Sequence, residues 1–175
     1  MAHTTNTDNP VDFPVSPLKH TRGNLLDMAE NGDFDIIIQG CNCFNTMGGG
    51  IAREIRERYP HVAAVDGKTV RGDYNKLGNW TSENVLLKNG TVTFDIINAY
   101  TQYNMSRGDD VFEYVAFNLI LQKLLHTYGD KRIGFPYIGM GLAGGDSDYI
   151  IRQIETFAWE VAEKGGSVTL VEFGG

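Results

Sequence analysis

The chain has 175 residues, 42% hydrophobic and 21% charged, with a formal net charge of −7 at pH 7. That composition fits one globular domain with a real core. The acidic balance argues against general nucleic-acid binding or an anionic membrane surface, where basic patches supply the affinity. No apolar run approaches the roughly 20 residues of a spanning helix, and Met1 to Pro17 lacks a signal peptide's charged-then-apolar pattern; the expectation is an intracellular protein with no membrane partner.

Residues 1–17 are polar and proline-punctuated and read as a flexible amino-terminal extension; the domain proper is expected over 18–175. A first strand over Lys19 to Arg22 leads into Gly23-Asn24-Leu25-Leu26, and Asn31-Gly32-Asp33 turns the chain into a buried strand, Phe34 to Ile38. A glycine-rich loop follows, from Gly40, Cys41, Asn42 and Asn45 to Gly48, Gly49, Gly50 and Ile51. Ile51, Ile55 and Tyr59 then recur at helical spacing, and Pro60 reads as the end of that helix. Val62 to Thr81 is rich in turn residues and is expected to hold little regular structure. Val85 to Lys88, Asn89-Gly90 and Thr91 to Tyr100 form a hairpin signal, because Asn-Gly tolerates the positive φ of a tight turn. A helix is expected over Val111 to Tyr128, with Val115, Leu119 and Leu125 as buried candidates and Gly129 as its stop. A strand from Arg132 runs into a second glycine loop, Ile138 to Asp146, and a helix over Ser147 to Lys164 precedes a last strand, Ser167 to Phe173. Mixing a hairpin with strand–helix units points to a three-layer α/β domain with a mixed central sheet.

Both glycine loops follow strands and precede helical patterns. Such turns aim bare N–H groups at an anion, and two of them suggest a ligand with more than one phosphate, or a phosphate flanked by sugar. With so acidic a chain, backbone dipoles rather than a lysine cluster must hold that anion. Cys41 and Cys43 are the only cysteines. One intervening residue makes a disulfide between them geometrically poor, and His3, His20, His61 and His126 show no ligand spacing relative to them. Two small buried thiols are expected, with no metal and no cofactor.

Four motifs, in order, carry a family resemblance: the first glycine loop with Ala52, Gly72-Asp73-Tyr74-Asn75-Lys76-Leu77-Gly78, Asn98-Ala99-Tyr100-Thr101-Gln102, and the run Ile138-Gly139-Met140-Gly141-Leu142-Ala143-Gly144-Gly145-Asp146. From Leu18 onward the chain resembles the macrodomains, and most of all the phage and bacterial branch described as processing ADP-ribose 1''-phosphate. The resemblance implies a three-layer α/β/α fold and an ADP-ribose-type ligand: adenine near the first strand, diphosphate between the loops, distal ribose against the first loop. Asn24 then stands where many macrodomains carry an aspartate that accepts from the adenine amino group, and an asparagine carbonyl can also accept. Asn42 and Asn45 face the ribose. Gly48, Gly49 and Gly50 let the backbone approach the ligand, Gly141, Leu142, Ala143 and Gly144 wrap the diphosphate with amides, and Leu25, Gly40, Cys41, Ile51, Ile138 and Gly139 complete the implied ligand-binding set. Asp146 is the one carboxylate at the mouth of the second loop, either a helix cap or the group that orients water.

The implied function is hydrolysis of ADP-ribose 1''-phosphate to ADP-ribose and phosphate, with Asp146, Asn42 and Asn45 as catalytic residues, in the cytoplasm (the host's, if the chain is viral). The alternative is a binding module without turnover. A hydrolase acting on ADP-ribosylated protein ranks third, because the resemblance attaches that reaction to a lysine near Thr101-Gln102 and an aspartate near Ala143, where this chain has Gln102 and Ala143 themselves. Gln39 likewise replaces a histidine common in the phosphatase-like relatives.

Overall fold

The computed structural model describes residues 14–105, 110–141 and 143–174. Residues 1–13 of the expected extension and Leu142 of the second loop lie outside that set. In chain order the elements are β1 (Lys19–Gly23), α1 (Leu25–Glu30), β2 (Ile36–Cys41), α2 (Gly50–Arg58), α3 (Pro60–Gly67), β3 (Trp80–Leu87), β4 (Val92–Tyr100), α4 (Tyr114–Tyr128), β5 (Arg132–Phe135), α5 (Ser147–Glu163) and β6 (Ser167–Phe173). The strands form one six-stranded sheet in the order β1-β6-β5-β2-β4-β3. Only β3 runs antiparallel, hairpinned to β4 with Leu87 opposite Val92.

β2 is apolar on both faces because it is covered on both. Ile36 and Ile38 join Ile97, Ala99 and the inner faces of α4 and α5 in one core cluster. Ile37 joins Ile96, Leu26, Ile55 and Val62 in a second, beneath α1, α2 and α3. This is the three-layer α/β/α arrangement of the macrodomain-like fold with a mixed sheet. From β2 the chain passes through α2, α3 and β3 to β4 on one side, then returns through α4 to β5 on the other side of β2. The connections after β2 and β5 therefore diverge and leave a crevice at the carboxyl ends of the parallel strands, where open α/β sheets bind ligands.

Three expectations change. Val62 to Thr81 is more regular than its turn residues suggest, holding most of α3, a single 3-10 turn over Tyr74–Lys76 and the start of β3. Pro60 accordingly opens a helix at its first position, where its missing N–H costs nothing, while Tyr59 breaks from α2 with φ −132°. In α4, Val115 is 76% and Leu119 45% exposed, and Leu125 is only partly buried. The buried stripe is Phe117, Ile120, Leu121 and Leu124. Apolar residues stand on more than one side of this helix, and packing buries the stripe that includes Phe117. Residues 111–113 precede it, with Val111 N–H bonded to Ala143 O and Glu113 N–H to Thr101 O, so the helix starts at Tyr114 rather than at Val111.

Candidate functional site

Two hollows of about 370 Å³ each open at the carboxyl edge of the sheet, a size ordinary for small-molecule sites. The outer one lies among the ends of β1, β5 and β6, and Asn24, Leu25, Gly50, Ile51, Val171 and Phe173 contribute to its walls. The inner one lies between the ends of β2 and β4 and is bounded by Gly40, Cys41, Asn42, Gly48, Gly49 and Ala143. Gly48 to Ala52, the turn into α2, touches both. A further hollow of about 390 Å³ sits between α4 and α5, and no residue of either glycine loop lines it.

The turn into α2 is open. Its N-cap is Gly49, with no side-chain cap and no acidic residue in the first turn. Among the described residues no acceptor is bonded to the N–H of Gly50, Ile51 or Ala52; the first bond of the turn is Arg53 N–H to Gly49 O at 3.4 Å. Gly50 has φ +56°, a left-handed conformation that costs glycine little. The neighbouring helices differ. Asn24 Oδ1 caps α1, accepting from Leu26 N–H at 3.0 Å and Asp27 N–H at 3.1 Å. Asp146 caps α5, its Oδ1 accepting from Tyr149 N–H at 3.2 Å. Among the described residues the starts of α1 and α2 line the two hollows, and of these only that of α2 lacks a side-chain cap, so it presents its free donors and its favourable dipole end to them.

The first loop is shaped by its own asparagines. Asn42 Oδ1 accepts from Phe44 N–H at 2.8 Å and its Nδ2 donates to Thr46 Oγ1 at 2.7 Å, yet the residue still lines the inner hollow. Asn45 sits in the left-handed region with φ +59° and lines neither hollow. Its Nδ2 donates to Thr69 O at 2.9 Å, and its Oδ1 accepts from the Thr69 hydroxyl at 2.9 Å and from Lys76 Nζ at 2.7 Å. The expected ribose contact is therefore not what its amide makes; Asn45 instead ties the loop to a buried lysine, 8% exposed.

That lysine belongs to a polar network beneath the loop. Lys76 Nζ also donates to Thr69 Oγ1 at 2.8 Å and lies 5.3 Å from the centre of the Tyr100 ring. The Tyr100 hydroxyl donates to Asp66 Oδ1 at 2.8 Å and meets Thr81 Oγ1 at 3.1 Å. Asn98 Nδ2 donates to Thr81 Oγ1 at 3.1 Å, and Gln39 Nε2 donates to Asn98 Oδ1 at 2.7 Å. The donors thus run in one direction, from Gln39 to a carboxyl that is 2% exposed, whose pKa burial pushes up while the Tyr100 hydroxyl and the Lys76 charge pull it down. Gln39 has a structural partner in Asn98 on the adjacent strand. Burial also raises the pKa of the Cys41 thiol far above its usual range, and that of Cys43, with the nearby Asp66 charge adding to both. Neither is a nucleophile at neutral pH.

The second loop contributes less wall than the sequence suggested. Ala143 lines the inner hollow, whereas Ile138, Gly139, Gly141, Gly144 and Asp146 line neither hollow. Ile138 is core, 3% exposed. Gly139 has φ +74° and a Cβ there would run into the Phe112 ring, so that glycine serves close packing. Gly144 N–H bonds Gly141 O at 3.0 Å and Gly145 N–H bonds Gly139 O at 2.8 Å, so these amides close the loop on itself. The acceptor role expected for Asn24 is also altered, because its Oδ1 already takes two cap donors. In the outer hollow sequence reasoning missed Glu54, Phe173 and Tyr137, and in the inner one Thr46 and Met105. Glu54 falls one turn after Gly50 on the same helix, a spacing that placed it on the crevice side.

No family model matches the chain. It is 30% identical over 148 residues, 81% of this chain and 90% of the other, to the uncharacterized 17.5 kDa protein in the tk-vs intergenic region of Enterobacteria phage T4. Among solved structures, the macrodomain of Mycobacterium tuberculosis DarG matches with a TM-score of 0.67 at 18% identity, over 90% of this chain and 97% of that one. The Trypanosoma brucei macrodomain in complex with ADP-ribose matches with a TM-score of 0.60 at 14% identity, over 94% and 67%. The fold is thus that of the macrodomains, and the chain belongs to the same family as the phage T4 tk-vs intergenic protein.

Proposed function

We propose that the crevice binds ADP-ribose, its adenosine end in the outer hollow and its diphosphate over the turn into α2. The observation that carries this reading is the uncapped α2 terminus, with the unpaired N–H groups of Gly50, Ile51 and Ala52 set between an apolar hollow and a more polar one. An anion at such a terminus gains about 0.3–1 kcal/mol where exposed and up to about 2 kcal/mol where partly buried. The acidic chain places no lysine or arginine in either hollow among the described residues, so these dipoles carry the phosphates. The resemblance to a macrodomain solved with ADP-ribose supports the same ligand class.

A second reading adds a reaction, hydrolysis of ADP-ribose 1''-phosphate to ADP-ribose and phosphate. It is favoured by the inner hollow, where the amide side chains of Asn42 and Gln102 accompany the Gly48-Gly49 backbone at the place a terminal phosphate would occupy. Water activation is the weak link, since Asp146, the carboxylate expected to perform it, caps α5 and lines neither hollow. We rank binding first and hydrolysis second.

Calorimetry with ADP-ribose tests the binding reading: the wild type should bind, and Gly49→Glu, which sets a side chain and a negative charge where the phosphates lie, should bind at least about 100-fold more weakly, on the order of 3 kcal/mol. Equal affinity of a folded Gly49→Glu variant refutes the placement. Incubation with ADP-ribose 1''-phosphate, followed by phosphate release, decides between the readings. Release above background promotes the second; tight binding without release leaves the first.

A further inference from the structure

We infer that the carboxylate of Glu54 selects the base of the bound nucleotide, favouring one that presents an amino group at its edge over one that presents a carbonyl. The inference rests on the ADP-ribose reading and names its specificity determinant. Glu54 is the only charged side chain among the described residues that line the outer hollow, whose other walls include Leu25, Ile51, Val171 and Phe173. An apolar slot with a single carboxylate suits a flat heterocycle with one polar edge and repels a phosphate, which fixes the polarity of the ligand along the crevice: base at Glu54, phosphates at Gly48-Gly49.

The carboxylate is held in place from behind. Its Oε1 accepts from Arg58 Nη2 at 2.7 Å and from Asn24 Nδ2 at 3.3 Å. Arg58 is itself anchored across to α1, with Nη1 2.8 Å from Asp27 Oδ1 and 3.3 Å from Glu30 Oε2. Both donors reach the same oxygen, and Oε2 takes no hydrogen bond among the described residues. Oε2 is acceptor-only, so it pairs with the exocyclic amino group of adenine and opposes the carbonyl of hypoxanthine. Asn24, whose own acceptor caps α1, acts as a positioning residue for Glu54. The pattern differs from a base read directly by the residue after β1.

Calorimetric titration with ADP-ribose and with inosine diphosphate ribose, which replaces the amino group by a carbonyl, tests the inference on wild type and on Glu54→Gln. The wild type should prefer ADP-ribose by about 10-fold or more, since the site is partly exposed and a missing partner is only partly compensated by water. In Glu54→Gln the amide oxygen stays with Arg58 and Asn24, which turns the NH2 group toward the base, so the preference should vanish or invert toward the inosine ligand. The substitution is isosteric, and an unchanged melting temperature certifies the fold. Equal wild-type affinities for the two ligands, or an undiminished preference in Glu54→Gln, overturns the inference while leaving the ADP-ribose reading intact. If neither ligand binds the wild type, the ADP-ribose reading falls and this inference falls with it.

Discussion

Lys76→Met separates the polar network's support of the site from its support of the fold. Lys76 makes two short bonds, to Asn45 Oδ1 at 2.7 Å and Thr69 Oγ1 at 2.8 Å, and lies over the Tyr100 ring. Hydrogen bonds involving a charged group contribute about 1.5–3 kcal/mol each, so the gross loss is about 3–6 kcal/mol. Two effects offset part of it: methionine keeps most of the apolar stem, and a largely buried ammonium no longer has to be desolvated. A net destabilisation of about 2–3 kcal/mol is expected, and at roughly 2–4 °C per kcal/mol for a domain of this size the melting temperature should fall by about 4–12 °C. Asn45 keeps its bonds to Thr69 but loses its strongest partner, and its left-handed backbone sits in the loop that leads to Gly48 and Gly49. ADP-ribose affinity should therefore weaken by about 3–10-fold, roughly 0.7–1.4 kcal/mol, as the ligand now has to order the loop. Differential scanning fluorimetry and calorimetry on one preparation supply both readings. A melting temperature within 1 °C of wild type, against the roughly 4 °C minimum worked out from the lost bonds, refutes the stabilising role; a lowered melting temperature with unchanged affinity refutes the link to the loop.

Asp146→Ala should cost about 1 kcal/mol through loss of the α5 cap, whereas Asp146→Asn, an equally good cap, should cost almost nothing. If the carboxylate is only a cap, both variants keep wild-type ADP-ribose affinity and any phosphate release, and a fall in release of about 100-fold in Asp146→Asn contradicts this and marks a general base. At the opposite end of the sheet, Arg132 grips Asp35 through Nη2 to Oδ1 at 2.9 Å and Nε to Oδ2 at 3.2 Å, and the side-chain bond to Arg132 holds the Asp35 carboxyl below its usual pKa. A depressed carboxyl stabilises the fold above the unfolded value near 3.9 and loses that contribution as pH falls through the folded value. Because the pair is partly exposed, Asp35→Asn should cost only about 0.5–1 kcal/mol at neutral pH. The difference from wild type should vanish in acid, and urea melts that show a larger deficit in acid refute this assignment.

Features written into a few consecutive residues were legible in the sequence. The hairpin expected at Asn89-Gly90 forms, and the left-handed conformation its turn needs is a local property, with φ +56° at Asn89 and +85° at Gly90; its connection is longer than a two-residue turn, since the strands part after Leu87 and Lys88 is left-handed as well, at +53°. The buried strand of β2 showed in its isoleucines, and the first glycine loop in a run with no side chains to crowd a ligand. Asp146 carried a cap signal as well, standing just before a helix, whereas the short helix α1 and its Asn24 cap were not read from the sequence. Both side chains cap in the structure because a cap needs only its own next turn, two or three residues away. The buried side of α4 was not legible, since the helix is apolar on more than one side, nor was its start, which follows the bonds from Val111 and Glu113 to Ala143 and Thr101.

The sequence by itself therefore determined most of the strands, the burial of β2, and that a glycine-rich turn into a helix follows β2. Tertiary structure alone decided what the polar side chains around that turn do. Asn45 and Lys76 are 31 positions apart, and Asn24 and Glu54 are 30 apart. Periodicity reports which face of an element is apolar, but a buried amide or carboxylate answers to the nearest partner in space, and that partner is fixed only when the layers pack. The same packing left the start of α2 without a side-chain cap while Asn24 capped α1, which is why, of the two helix starts that line the hollows, that of α2 is free to meet an anion.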